Sequence, residues 1–237
     1  MKTIIALGMV LWTGLQAGAQ TAATTYRGKP LTEYTAGAKS PDPAARAAAL
    51  RAIGQFGKDG AAAVSLVTAA LADPATDVRQ AAAETLALIG PAAAPAVAAL
   101  APLLADPDPR TRTVAALALR EIGPAAEPAL PRLIAALKDD DLTVRMTAGL
   151  AIGNFGKAAK PAIRALIEAG NDRVDDWVSV PLRDMRRAMA WALGEIGPEA
   201  KEALPALNEW GKFYRVRWYT IPAIAKIEGK PVPPTWK

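Results

Sequence analysis

The strongest constraint on this chain is a repeat with a period of 33 residues. Five segments end in the same glycine-closed pattern, namely GQFG (54–57), ALIG (87–90), REIG (120–123), GNFG (153–156) and GEIG (194–197). The final glycines are separated by 33, 33, 33 and 41 residues, so the last unit is the same period with an eight-residue insertion. Because one such unit cannot bury its apolar face alone, this pattern predicts units that stack on their neighbours.

Each unit carries the pattern of two helices. An arginine stands eleven residues before each closing glycine, and small or apolar residues follow it three, seven and ten positions later. The glycine itself stands where a left-handed C-cap belongs. A second apolar series follows the glycine by seven, ten and fourteen residues, as in Val97, Leu100 and Leu104. A proline such as Pro95 precedes this series, where the first turn of a helix tolerates a missing N–H.

The pattern DPxxxVRxAAAxxLxxIGPxAxPAVxxLxxLL resembles the HEAT-like repeat, in the short alanine-rich form named after the phycobilisome lyases. The resemblance covers roughly residues 26–211. It implies an all-α fold, a right-handed α-solenoid of about five to six stacked helix pairs. The arginine-bearing helices would line the concave side, and the proline-led helices the convex side.

The resemblance also implies a structural ladder of turn caps and pairs between repeats. Its members are the five arginines and three aspartates of the turns, namely Arg46, Arg79, Arg112, Arg145, Arg186, Asp73, Asp106 and Asp139.

The two ends of the chain differ from the repeat. Residues 1–19 have the pattern of a cleaved secretory signal peptide, with Lys2, a twelve-residue apolar run and the small residues Ala17-Gly18-Ala19. A membrane anchor usually needs roughly 20 apolar residues, so we predict cleavage between Ala19 and Gln20 and a periplasmic or secreted protein without a transmembrane segment in its mature part.

The opening residues 26–31 are similar to exported bacterial HEAT-repeat proteins. The solenoid would fill residues 20–229, with a degenerate capping helix at 214–228 and an extended tail at 230–237.

The composition excludes many kinds of catalytic site. The chain has no cysteine and no histidine, so it has no disulfide, thiolate nucleophile, Ser-His-Asp triad or histidine-ligated metal. The HEAT-like hydroxylases need histidines for their di-iron site, and that comparison fails. We expect no catalytic residue, cofactor or metal. A subunit or relative of a HEAT-like lyase-type enzyme, acting on a protein-bound or small-molecule substrate, is the alternative function, and it depends on the repeat type alone.

A candidate binding surface lies on the arginine-bearing helices. The position five residues after each arginine points away from the predicted core, and it carries Arg51, Glu84, Leu117, Leu150 and Trp191 in turn. Met146 adds to the same region. Stacking would align the last three of the series with Met146 as an apolar strip in the concave groove, where a protein or peptide partner could bind. The alternative is that curvature of the solenoid buries these side chains.

Two further segments allow two interpretations each. The insertion at about 171–182 contains Asp172, Asp175, Asp176 and Trp177, which could bind a hard cation or, through Trp177, a partner, or could pack on the solenoid. The C-terminal segment KFYRVRWY (212–219) mixes cations with aromatic residues. We favour packing as a hydrophobic cap over nucleic-acid binding, because the formal charge of +5 is modest and export is predicted. The sequence does not define the oligomeric state.

Overall fold

Arginine-bearing helices stack along the chain, each on the next, and form the inner layer of an all-α solenoid. The computed structural model describes residues 25–171 and 180–233, with only the backbone for 180–183. In chain order the α-helices are α1 (Leu31–Gly37), α2 (Pro43–Gly54), α3 (Val64–Ala70), α4 (Thr76–Ile89), α5 (Val97–Leu100), α6 (Pro109–Ile122), α7 (Leu130–Ala136), α8 (Leu142–Gly153), α9 (Ile163–Asn171), α10 (Val180–Ile196), α11 (Leu204–Trp210) and α12 (Tyr214–Glu228). The predicted all-α solenoid is confirmed: helices α2 to α11 form five pairs, and α1 and α12 stand singly at the two ends.

The outer member of each pair begins as a 3₁₀ helix. These segments are Gly57–Ala63, Gly90–Ala96, Gly123–Ala129, Gly156–Ala162 and Gly197–Ala203, and in the second pair another one, Ala101–Ala105, follows α5. Each starts at a closing glycine with positive φ, for example 71° at Gly90 and 77° at Gly123. Only glycine adopts this conformation without strain, so the repeated glycine turns the chain from the inner to the outer layer at every unit. The predicted left-handed C-cap is corrected, because ψ is −137° at Gly90 and −144° at Gly123, outside the left-handed helical region.

The core is continuous along the stack because the inner helices approach one another closely. The residue seven positions after each arginine is fully buried, and these residues are Ile53, Leu86, Leu119, Ile152 and Leu193. Small residues permit the approach: a Cβ added to Gly194 would lie 2.8 Å from the Cα of Ala223 on α12. Because that neighbour is backbone and cannot turn away, glycine at this position allows the last helix to dock.

An arginine–aspartate ladder joins consecutive units. In α2, Arg46 places Nε 2.8 Å and Nη2 2.9 Å from the two carboxylate oxygens of Asp73. Arg79 bonds Asp106 through Nε at 3.0 Å, and Arg112 bonds Asp139 through both nitrogens. Each arginine is thus paired with the aspartate 27 residues further along the chain. The hydrogen bond from Arg46 holds the pKa of the Asp73 carboxyl below its ordinary value.

The ladder changes at its last two members. Arg145 donates to the carbonyl oxygen of Asp139 at 2.5 Å. The aspartate in register with it, Asp172, lies outside the described residues. Arg186 donates to the carbonyl of Gly170 at 3.0 Å, and its guanidinium carbon lies 5.2 Å from the ring centroid of Phe213, the residue 27 positions on. An aromatic face therefore occupies the carboxylate's place, so the predicted ladder does not continue at Arg186 as a pair with an aspartate. Burial lowers the pKa of this guanidinium.

A short hairpin, which the sequence analysis did not predict, closes the N-terminal end. Strands β1 (Thr25–Tyr26) and β2 (Lys29–Pro30) pair in antiparallel register across Arg27 and Gly28, which both have positive φ. The hydroxyl of Tyr34 in α1 donates to the carbonyl oxygen of Tyr26 at 2.8 Å, and its ring lies 6.0 Å from that of Phe56. These contacts cover the first inner helix.

Several predicted features fall outside the described residues, namely residues 1–19, most of the insertion including Trp177, and residues 234–237. Within the described part of the chain, residues 76–105 form the one helical stretch that is long and apolar enough to cross a membrane. This stretch turns at Gly90 and contributes Leu86 and Leu100 to the core, so its apolar character is explained by the solenoid interior.

Candidate functional site

A groove opens on the inner layer near its C-terminal end. It has a volume of about 410 Å³, lies between α8, α10 and α12, and is lined by Met146, Leu150, Asp184, Arg187, Ala188, Trp191 and Tyr219. We call this site the inner groove. Three of the predicted partner-binding residues, Met146, Leu150 and Trp191, are therefore brought together.

The apolar wall of the inner groove comes from equivalent positions of consecutive units. Met146 and Leu150 stand one and five residues after Arg145, one helical turn apart, while Trp191 stands five residues after Arg186. All three side chains are half-buried against the core. The repeat pattern had predicted that this series points straight away from the core. The reason is the approach of α10 to α8: the Cζ3 atom of Trp191 lies 2.4 Å from where a Cβ on Gly153 would be. The missing side chain of that glycine makes room for the indole.

The polar end of the inner groove was not identified from sequence. Arg187 places Nη1 2.9 Å from Oδ1 of Asp184. Its guanidinium carbon lies 4.2 Å from the ring centroid of Tyr219, whose hydroxyl group accepts a hydrogen bond from Nη2. Arg187 and Tyr219 stand one residue after the position of the repeat that the ladder arginines occupy, as Met146 does. The repeat register could therefore have predicted that both side chains lie near Met146. Which partners they contact depends on the packing of α12.

The N-terminal half of the inner surface is polar, in agreement with the predicted positions of Arg51 and Glu84. Arg51 lies 3.0 Å from Asp77 and 3.4 Å from Glu84, and Arg110 lies 3.1 Å from the other oxygen of Glu84. These four side chains form a chain of alternating charges across three units. Their charges are largely compensated within the protein.

Leu117 does not line the inner groove, although the sequence analysis placed it in the same strip. It is half-buried in α6, one unit nearer the N-terminus. Beside it, one helical turn earlier, stands Thr113, whose hydroxyl donates to the carbonyl of Pro109. The next unit has the longer, apolar Met146 at that position, so the apolar wall begins only at α8.

A second cleft, of about 480 Å³, lies between the turn that follows the second helix pair and the turn that follows the third. Arg112 and Asp139 line it and already bind each other. Among the residues that the structure describes, no group of three or more carboxylates is placed to hold a metal ion. The acids of the insertion, Asp172, Asp175 and Asp176, lie outside that part, and their possible role with a cation remains a prediction.

A family model for HEAT repeats matches residues 31–120 and 97–180, together more than half of the chain. A model for the PBS lyase HEAT-like repeat matches residues 185–209. No curated protein matches.

Many solved structures share the fold. A designed armadillo repeat protein in complex with the peptide (KR)4 aligns with a TM-score of 0.69 and 20% identity, over 83% of this chain and 99% of that one. Computationally designed armadillo repeat proteins for modular peptide recognition give 0.66 and 20%, over 85% and 100%. An engineered protein gives 0.66 and 20%, over 84% and 96%. At these identities the likeness concerns the fold alone.

Proposed function

The chain belongs to the HEAT-repeat family, and from that premise we propose that it is a non-catalytic scaffold that binds a protein or peptide segment in the inner groove. The observation that carries the proposal is the cluster of Met146, Leu150 and Trp191, which lie side by side on consecutive units, half-buried and still open to the groove. Adjacent apolar surface of this kind commonly marks an interaction site. Tryptophan often anchors interfaces, and methionine adapts to varied partners.

The fold also supports peptide binding. Two of the similar structures are named for a complex with the peptide (KR)4 and for modular peptide recognition. Those proteins have been designed, and the peptides that they bind are not assigned to this chain. Their relevance here is that a solenoid of this architecture offers a long inner surface on which an extended segment can contact several repeats at once.

The charges of the inner surface indicate what kind of segment fits. Arg187 is bonded to Asp184, and Arg51 and Arg110 are bonded to acids of neighbouring units. Because these cations and anions already compensate one another, charge contributes little to attracting a ligand. We infer that apolar side chains of the partner provide the contact, so binding should depend weakly on salt.

Affinity capture with a matched pair of variants tests this function. Leu150→Asp places a charge in the inner groove, whereas Leu88→Asp places the same charge at a leucine that is 54% exposed on α4, outside the groove. We expect proteins retained by the parent chain and by Leu88→Asp to be lost from Leu150→Asp, with the circular dichroism of both variants unchanged. Equal retention by the two variants would place the binding surface elsewhere.

In this proposal the chain itself catalyses no reaction. The match to the PBS lyase HEAT-like repeat covers residues 185–209 and describes a repeat type, and fold type does not establish an activity. A small molecule that copurifies with the parent chain and is lost from Leu150→Asp would favour the lyase-type alternative.

We further propose that the protein is exported. The basic start, the apolar run and Ala17-Gly18-Ala19 support cleavage before Gln20. The mature chain would then have 218 residues, that is, 237 − 19. N-terminal sequencing of the periplasmic or secreted protein should begin at Gln20, and an intact Met1 on a cytoplasmic protein would contradict export.

A further inference from the structure

The polar end of the inner groove has hydrogen-bond donors without an acceptor among the described residues. Arginine carries five N–H groups and no acceptor atom, and Arg187 uses two of these groups, on Asp184 and on the hydroxyl oxygen of Tyr219. That hydroxyl accepts the bond, and its own proton is donated to no described residue. Both side chains line the groove and are half-buried. The other N–H groups of Arg187 and the O–H of Tyr219 are therefore left for a molecule that enters the groove.

The position one residue after each ladder arginine carries no unused donor on α4 and α6. On α4, Gln80 uses both of its amide hydrogens, on Asp108 at 3.0 Å and on Thr111 at 3.1 Å. On α6, the hydroxyl of Thr113 donates to the carbonyl oxygen of Pro109 at 3.0 Å. At this position of the repeat, unused donors therefore occur where the groove lies.

The unused donors and the apolar wall are placed to contact the same ligand. Arg187 stands four residues before Trp191 on α10, and Cβ atoms at this helical spacing are roughly 5–6 Å apart. A ligand side chain that packs on the indole therefore brings its own main chain near the guanidinium. The ring of Tyr219, 4.2 Å away, and the carboxylate of Asp184 hold the guanidinium in place. Donors fixed in this way lose little freedom when a ligand binds.

The acceptor that fits these donors is a neutral oxygen. Nη1 of Arg187 lies 2.9 Å from Oδ1 of Asp184, so the positive charge is already compensated, and a ligand carboxylate would be repelled by that of Asp184. A main-chain carbonyl oxygen adds no charge and has two lone pairs that accept hydrogen bonds. In an α-helix the N–H groups of the same helix already occupy the carbonyls. In an extended segment the carbonyls are open to other donors.

We propose, on the basis of the function proposed above, that the segment bound in the inner groove is extended and that Arg187 and Tyr219 donate hydrogen bonds to its main-chain carbonyl oxygens. Its apolar side chains pack on Met146, Leu150 and Trp191. Inner helices 8–10 Å apart make the distance from α8 to α12 roughly 16–20 Å, which five or six extended residues span at about 3.3 Å each. Arg187 and Tyr219 are then specificity-determining residues, because they favour an extended segment over a helix.

Uncharged hexapeptides are a probe of that length. An array of hexapeptides, acetylated and amidated at their ends and apolar at alternate positions, would be screened with the parent chain. The sequence that binds most tightly would be titrated with Tyr219→Phe and with the control Tyr214→Phe, which loses the same hydroxyl from a tyrosine that is 74% exposed outside the groove. We expect Tyr219→Phe to bind about fivefold more weakly, as for the loss of one hydrogen bond, and Tyr214→Phe to bind like the parent.

A backbone ester in the same peptide separates hydrogen bonding from a structural effect of the substitution. An ester carbonyl is a weaker acceptor than an amide carbonyl, so the ester at the contacted position should weaken binding to the parent at least about threefold more than binding to Tyr219→Phe. Equal ester effects in the two chains, or equal affinities of Tyr219→Phe and Tyr214→Phe, would overturn the proposal.

Two further outcomes distinguish this proposal from the function on which it rests. If no hexapeptide binds while proteins are still retained by Leu88→Asp and lost from Leu150→Asp, the groove binds a helical or folded surface, and the extended segment is wrong. If hexapeptides bind Leu150→Asp as tightly as the parent, the inner groove is not their binding site, and the proposed function itself is contradicted.

Discussion

Replacing Arg112 by alanine should lower the melting temperature by roughly 6–12 °C. The substitution removes two hydrogen bonds to Asp139, at 2.7 and 2.8 Å, and two to the carbonyls of Asp106 and Pro107. The side chains of the pair are only 16% and 10% exposed, so Asp139 would keep a largely buried charge without the guanidinium that binds both of its oxygens. Removing one partner of such a pair costs about 3 kcal/mol, and a domain of this length loses roughly 2–4 °C per kcal/mol.

Thermal unfolding followed by circular dichroism measures this effect. Arg132→Ala is the matched control, because Arg132 is exposed on α7 and forms no ion pair with the described residues. Arg46→Ala should have a smaller effect than Arg112→Ala, since α2 lies near the end of the stack and a terminal unit couples to fewer neighbours. If Arg112→Ala and Arg132→Ala unfold at the same temperature, the ladder does not stabilise the stack.

Replacing Trp191 by alanine should weaken partner binding about thirtyfold. Truncating an aromatic anchor at an interface often costs about 2 kcal/mol, which corresponds to that factor. The structure adds an effect on stability that the sequence pattern did not predict. The indole lies against Gly153 and is packed on the core, so we also expect the melting temperature to fall by several degrees.

The two effects are separated by measuring affinity well below the melting temperature of the variant. The titration would use a partner identified by the affinity capture, that is, a protein retained by Leu88→Asp and lost from Leu150→Asp. Trp218→Ala is the matched control, because it removes a half-exposed tryptophan that does not line the inner groove. Affinities that fall equally in the two variants would mean that Trp191 is a structural residue rather than a binding anchor.

The repeat alone determined most of the fold. The closing glycines and the apolar positions after each arginine are local signals, because helix periodicity and positive φ depend on a few neighbouring residues. The same register brought Arg112 and Asp139 into one predicted ladder, and the structure pairs them at 2.7 Å. Stacked units of similar sequence convert such short-range patterns into long-range contacts, so units that follow one another in the chain also contact one another.

The tertiary structure decided which residues at equivalent positions of the repeat have different contacts. The face of Phe213 takes the place of an aspartate beside Arg186, and Arg187 closes the polar end of the inner groove by stacking on Tyr219. Leu117 and Leu150 occupy the same position of the repeat, but only Leu150 lines the groove. These outcomes depend on the distance between consecutive helices and on the shape of the neighbouring side chains, with Gly153 admitting an indole and Gly194 admitting α12. Periodicity gives the direction of a side chain, whereas the space it fills is set by the unit packed against it.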